Sequence, residues 1–388
     1  MTAPHVAYIS ADPGVPVFGN KGCSIHVRAM LAAFLRRGYR VSLLSARPGG
    51  DIPPALQQVA LIPLPGLEPQ ESPEFEASVL AAGAAIEAAL AALPPLDLLY
   101  ERHSLWSFSG MEFGRSRGIR TCLEVNAPLV YEQQTYRQLL HPGLAQQTTR
   151  RAYRAADSIV AVSSGVKAAV EADLPHPHVH CVPNGVDLDR FAPPPPLQEP
   201  PGSRPFTIGF CGTLRPWHGV EDLLVAFASH HRRSPQSHLL IIGDGPQRAA
   251  LEARAEALDL GEAVRFVGAV SHDHMPASLA RLDVAVAPYQ PMEKMYFSPL
   301  KIFESMAMGL CTVAADLGDI PRIIDDGRSG LLYAPGNCEQ LAELFDRLSA
   351  DRPLVQALGS QARRQALEQF SWDRVLDTTL RASHGPIA

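Results

Sequence analysis

Apolar positions along the chain first follow a strand pattern and then a helical one. "HVAYIS" (5–10) is a short apolar run rich in strand formers, and a loop with Gly14, Gly19 and Gly22 follows it. Val27, Met30, Leu31 and Phe34 then fall on one helical face, the period stops at Gly38, and "RVSLLSA" (40–46) reads as the next strand. This strand–loop–helix–strand unit is the opening of a doubly wound α/β domain. The pattern restarts at "FTIGFCG" (206–212), a strand, followed by the loop "TLRPWHGV" and the helical "EDLLVAFASHHR". "HLLIIGDG" (238–245), "AVRFVGAV" and "DVAVAPY" supply three further strands, and the alanine-rich stretch 77–93 reads as a helix.

Between the halves, "PPPPLQEPPGSRP" (193–205) has the proline density of an extended, exposed linker. The pattern therefore predicts two Rossmann-like, doubly wound α/β domains, 1–195 and 205–370, joined by a linker at 193–205. Ligands of such sheets bind outside the carboxyl ends of the strands, so two facing domains would hold a ligand in the cleft between them.

Composition narrows the class. With 388 residues, 46% apolar and 19% charged, the chain is globular, and its formal net charge of -6 argues against a nucleic-acid binder. Cys23, Cys122, Cys181, Cys211, Cys311 and Cys338 form no C-x-x-C pair. Neither a zinc site nor a disulfide framework is expected, and a reducing compartment fits. "MTAPHVAYIS" lacks the charged region and apolar run of a signal peptide, and no apolar stretch approaches the roughly 20 residues that span a bilayer. A soluble, cytoplasmic protein is expected. No clear basic amphipathic helix calls for a membrane surface; peripheral association at the inner membrane face stays open, as does oligomeric state.

The richest stretch chemically is "YFSPLKIFESMAMG" (296–309). Ser298 suits an N-cap and Pro299 the first helical position, with Leu300, Phe303, Met306 and Ala307 on the core face. Lys301 then occupies the third position, where a capping box would place Glu or Gln. A cation there opposes the helix dipole by about 0.3–1 kcal/mol. Either the lysine is merely solvated, or the backbone of Ser298, Pro299, Leu300 and Lys301 receives an anion such as phosphate. Glu304, one turn on, favours the second reading: a carboxylate can accept from a ribose diol, so the pair matches a nucleoside diphosphate. "GTLRPWHG" (212–219) adds Arg215 and His218, both able to reach a diphosphate. The loop "PGVPVFGNKGCS" (13–24) adds Gly19 and Gly22, which would let backbone approach phosphate or sugar, although it is not G-x-G-x-x-G.

Taken together, the sequence resembles a retaining glycosyltransferase of the GT-B fold, family 4 (glycosyl transferases group 1). The resemblance covers nearly the whole chain. It rests on "KGCSIHVRAML", "VPNGVDLDRF" (182–191), "GTLRPWHGVEDLL", "IIGDGP" and "SPLKIFESMAMG". "FSWDRV" (370–375) is similar to the family's last helix, about 371–388, which crosses back to the first domain. The resemblance implies an acceptor-binding N-terminal domain and a C-terminal domain that binds a nucleotide-diphosphate sugar. It implies transfer to an acceptor hydroxyl on a glycan, glycolipid or small molecule, by front-face attack assisted by the departing phosphate.

Two departures stand out. Family members often carry two glutamates eight positions apart, the first contacting donor-sugar hydroxyls; Glu304 matches the second, while Tyr296 stands at the first. His218 stands where a lysine is expected, and Lys301 is the cation that would replace it. Ser298, Pro299, Leu300, Tyr296 and Glu304 join the two loop glycines as expected substrate contacts. Lys301, Arg215 and His218 would stabilise the leaving group. "LYERHSLWSFSG" (99–110) and "CLEVNAPLVYE" (122–132) follow strand-like runs, which makes Glu124, Asn126 and His103 the acceptor-side candidates. No DxD pair is placed as a divalent-ion anchor, since "IDDG" (324–327) reads as a turn, so no metal or other cofactor is expected. A GT-B sugar-nucleotide epimerase and, because of Tyr296, a non-catalytic nucleotide-binding partner remain the alternatives.

Overall fold

A computed structural model of the chain describes residues 3–194, 204–291, 296 and 298–383. These divide into two compact units. The first comprises the described residues of Met1–Asn184, Tyr296–Ser298 and Trp372–Ala388, and the second those of Gly185–Met295 and Pro299–Ser371. The division falls at Asn184, ahead of the proline-rich stretch, of which residues 195–203 lie outside the described residues. The final helix runs Trp372–Ser383, and positions 384–388 also lie outside them.

In the first unit seven parallel strands, β1 (His5–Ser10), β2 (Arg40–Ser45), β3 (Ala60–Pro63), β4 (Leu98–Arg102), β5 (Thr121–Val125), β6 (Ser158–Ala161) and β7 (Val179–Cys181), lie in the order β3-β2-β1-β4-β5-β6-β7. Val6, Ala7, Tyr8 and Ile9 are all fully buried, as expected of a parallel strand covered on both faces. The helix Gly22–Arg36 buries Val27, Met30, Leu31 and Phe34, the face the sequence pattern assigned to the core. Gly38 ends that segment at φ +78°, a conformation that costs glycine little. The alanine-rich helix spans Phe75–Ala91.

In the second unit six parallel strands, β8 (Thr207–Cys211), β9 (His238–Ile242), β10 (Val264–Gly268), β11 (Val284–Ala287), β12 (Cys311–Ala315) and β13 (Leu331–Tyr333), lie in the order β10-β9-β8-β11-β12-β13. Both sheets are doubly wound. Strand order reverses beside β1 in the first and beside β8 in the second, the point at which open α/β sheets leave a crevice for ligands. Gly219 sits at that crevice with φ +64°, and a Cβ there would fall 1.7 Å from the Pro288 carbonyl oxygen, so only glycine fits. Among the described residues no helix is long and apolar enough to cross a membrane.

Candidate active site

The carboxyl end of β8 meets the helix Leu300–Ala307 inside the second unit. That helix starts one residue later than its sequence pattern suggested. Pro299 is the N-cap, no side chain caps the first turn, and Lys301 is the second helical residue. Ser298 does not cap it, because its hydroxyl accepts from the Asn184 N–H at 3.1 Å. The Lys301 Nζ is neither solvated nor paired: it is buried and has no hydrogen-bond partner. It lies over Phe210 at 4.3 Å and Tyr289 at 5.0 Å from the ring centroids. Gly212, at φ +143°, leaves it room, since a Cβ there would sit 2.7 Å from Nζ. Burial lowers the Lys301 pKa to about 8, against the opposing pull of Cys211 and Glu304.

Glu304 accepts from His272 Nε2 at 3.1 Å, both side chains being largely buried. Nothing in the sequence around "VSHDHM" signalled His272; only the fold brings it to Glu304. Arg215 is exposed, its guanidinium 5.7 Å from the centre of Trp217. His218 differs from expectation in charge. Burial, reinforced by the neighbouring Lys301 charge, lowers its pKa to about 4, so at neutral pH it is no substitute for a lysine. Its Nδ1–H donates to the Thr213 carbonyl, which leaves a lone pair on Nε2.

The first unit brings together the acceptor-side candidates, but with different duties. Glu124, at the end of β5 and 2% exposed, is the centre of a network. Its oxygens accept from the Tyr100 hydroxyl, from Asn126 Nδ2 and from Arg102 Nη1 at 3.2 Å, and His26 Nε2 stands 2.9 Å away. Burial alone would raise its pKa, but His26 and Arg102 hold it at about 2. Both carboxylate oxygens therefore already accept hydrogen bonds within the protein, and one of these bonds orients Asn126. His103 is 5% exposed with both ring nitrogens unpartnered; burial, then the Arg102 charge, lowers its pKa to about 4. It packs against Tyr153 at 5.4 Å.

Tyr296 departs furthest from the expected donor contact. Its ring belongs to the core of the first unit, edge-on to Tyr131 at 6.4 Å, and its carbonyl accepts from Ser163 Oγ at 2.5 Å. Burial and a hydrogen bond to Glu132 raise the phenol pKa, so its hydroxyl is engaged. Gly19 also serves its own loop: a Cβ there would lie 2.9 Å from the Pro16 ring. Gly22 is the first residue of the helix Gly22–Arg36. Among the described residues, no group of three or more His, Cys, Asp or Glu side chains is placed to hold a metal ion.

Two family models match most of the chain. "Glycosyltransferase Family 4" matches residues 21–190, and "Glycosyl transferases group 1" matches residues 205–351. The chain belongs to glycosyltransferase family 4. Its two doubly wound units are those of the family's GT-B fold. Over 240 residues the family-4 chain is 28% identical to a GDP-mannose-dependent alpha-(1-6)-phosphatidylinositol monomannoside mannosyltransferase of Mycobacterium tuberculosis, covering 59% of this chain and 62% of the relative. That match thus spans about three fifths of the relative's length. A D-inositol 3-phosphate glycosyltransferase of Saccharomonospora viridis is 26% identical, with 95% of this chain and 90% of the relative covered. Among solved structures, Anabaena HepE in complex with UDP is similar in fold, with a TM-score of 0.71 at 17% identity over 97% of this chain and 98% of HepE.

Proposed function

We propose that this chain transfers a sugar from a nucleoside-diphosphate sugar to an acceptor hydroxyl, with retention of configuration and without a metal. Lys301 carries the reading. A buried ammonium without a hydrogen-bond acceptor, at the uncapped start of a helix, is a site for an anion whose charge grows during reaction. Glu304, held by His272 one turn further on, is placed to accept from a ribose diol. Arg215 is free in solvent to close on the diphosphate. His218 is neutral in the free protein at neutral pH. The UDP bound by HepE and the nucleotide-sugar dependence named for the mycobacterial relative support a nucleoside diphosphate as the ligand.

In the reaction, the bond from the anomeric carbon to the diphosphate oxygen breaks and its electron pair stays on that oxygen. The acceptor oxygen bonds to the same face of the carbon, and its proton passes to the departing phosphate. Lys301, Arg215 and the helix start neutralise the leaving group, which assigns to side chains the task a divalent ion performs elsewhere. Front-face attack suits the first unit better than double displacement, because Glu124 has both oxygens occupied. We place the reaction in the cytoplasm, at the inner membrane face if the acceptor is lipid-linked.

The test is a panel of UDP-, GDP- and ADP-sugars without acceptor, read by nucleoside diphosphate release and by thermal shift. Slow release from one or two donors is expected. No release and no stabilisation by any donor contradicts the proposal.

A further inference from the structure

The second unit begins at Gly185, inside "VPNGVDLDRF" (182–191). The Asp187 side chain folds the end of that segment into a turn. Its Oδ1 accepts from the backbone N–H groups of Asp189 at 3.2 Å and Arg190 at 3.1 Å, and its carbonyl accepts from the Phe191 N–H at 2.9 Å. Arg363, on the helix Arg352–Gln369, fastens this turn to the helix Leu300–Ala307. Its Nη1 donates to the Phe191 carbonyl at 3.0 Å and to the Ala307 carbonyl at 2.7 Å, and its Nη2 donates to the Leu188 carbonyl at 3.4 Å.

Two side chains of the turn reach His272. The Phe191 ring, 1% exposed, lies against the imidazole with the ring centroids 5.2 Å apart. Arg190 Nη1 donates to His272 Nδ1 at 3.2 Å and to Asp273 Oδ1, and Arg190 Nε stands 3.8 Å from Asp187 Oδ2. A guanidinium carries donors only, so Nδ1 is the accepting nitrogen of the ring. The ring proton then sits on Nε2, which donates to Glu304 Oε1 at 3.1 Å. Turning the ring over would set carbon against both partners. The contacts close on one helix, since Arg363 holds the turn to Ala307 and the turn holds His272 to Glu304.

We infer that Arg190 is a positioning residue for the nucleotide: it fixes the His272 ring and, through that ring, the direction of the Glu304 carboxylate. It acts through His272 and touches no substrate atom. The inference rests on the proposed assignment of Glu304 to the ribose diol.

The test uses whichever of UDP, GDP and ADP binds most tightly, titrated by calorimetry beside its 2′,3′-dideoxy analogue. The analogue keeps the base and the diphosphate and lacks both hydroxyls. The unmodified protein should prefer the ribonucleotide. In Arg190→Met that preference should shrink roughly three- to tenfold, the worth of one ordinary net hydrogen bond, while affinity for the dideoxy analogue holds. His272→Ala should shrink it too, and the double variant no further than the worse single, because both cut one chain of contacts. The melting temperature of Arg190→Met should stay near that of the unmodified protein, since exposed ion pairs contribute little to stability. A preference left intact in Arg190→Met, losses that multiply, or both nucleotides weakened alike with a lower melting temperature overturn the inference alone. An unmodified protein that binds none of the three nucleotides, or binds without preferring the ribose form, overturns the proposed nucleotide site and this inference with it. Ring ¹⁵N resonances of His272 at mildly alkaline pH need no variant: a proton on Nε2 alone is expected, and a proton on Nδ1 overturns the inference.

Discussion

The Lys301 ammonium sits 4.3 Å from the centre of the Phe210 ring, with no hydrogen-bond acceptor in reach among the described residues. A cation–π contact returns roughly 0.5–2 kcal/mol. Burying an ammonium costs several kcal/mol even after relaxation. The rings therefore keep the lysine in place without satisfying it, and in the proposed reaction an entering anion meets the deficit. Its lowered pKa reports that deficit.

Nucleotide binding should take up a proton near pH 8. The free protein holds Lys301 at about pKa 8, and a bound diphosphate raises it, so charged lysine is restored on binding. Stability has the opposite dependence. Between about pH 8 and the ordinary lysine value the unfolded chain binds more protons, so the strain of the buried charge is relieved as pH rises through 8. Calorimetry at pH 8 in buffers of different ionisation enthalpy measures the uptake. Its persistence in Lys301→Met would assign the proton elsewhere.

Glu304→Ala should weaken nucleoside diphosphate binding by roughly 1.5–3 kcal/mol, the worth of a hydrogen bond to a charged group. His272→Ala leaves the carboxylate but frees its orientation, so KM for the nucleotide sugar should rise several-fold with kcat nearly unchanged. Titration calorimetry and steady-state kinetics read the two effects. Unaltered affinity in Glu304→Ala removes the ribose assignment.

Much of this arrangement was legible in the sequence, and the reasons for the rest are specific. Strand and helix periods located β1, β2, β8 and β9 and the core face of the helix Gly22–Arg36, because burial on a sheet leaves little freedom in residue type. Lys301 stood out by breaking the expected charge pattern of a helix start, and Glu304 by placing a carboxylate one turn on. His272 had no signal, since its partner is distant in sequence and the loop around it has no periodicity. His26 and Asn184 lay inside "KGCSIHVRAML" and "VPNGVD", but a single sequence does not say which residue of a motif faces which partner. The neutrality of His218 follows from burial and a neighbouring charge, neither visible before folding.

Glu101 offers a stability test apart from the site. It is fully buried, one oxygen accepting from Ser107 and the other unpartnered, and burial raises its pKa from 4.5 to about 7, with the Ser107 bond opposing. The folded state thus binds the proton more tightly, and this group's contribution to stability declines as pH rises from 4.5 through 7. Glu101→Gln should melt higher than the unmodified protein above pH 7 and lose that advantage near pH 4.5. Parallel melting curves across this range would show that the carboxyl is not the titrating group.

Activity should survive EDTA, because the proposed reaction gives Lys301 and Arg215 the task of a divalent ion at the diphosphate. Turnover that vanishes with chelator and returns only with magnesium or manganese would show that the side chains do not suffice.

The most direct test of the account replaces Lys301 with methionine, keeping an apolar stem and removing the charge. Turnover of the nucleotide sugar should fall roughly 10²–10³-fold, as when one preorganised donor is removed from a developing anion. The melting temperature without nucleotide should stay level or rise, because an unpartnered buried ammonium has been deleted. A variant that melts several degrees lower while its folded fraction turns over at the original rate would make Lys301 a packing residue and contradict the account.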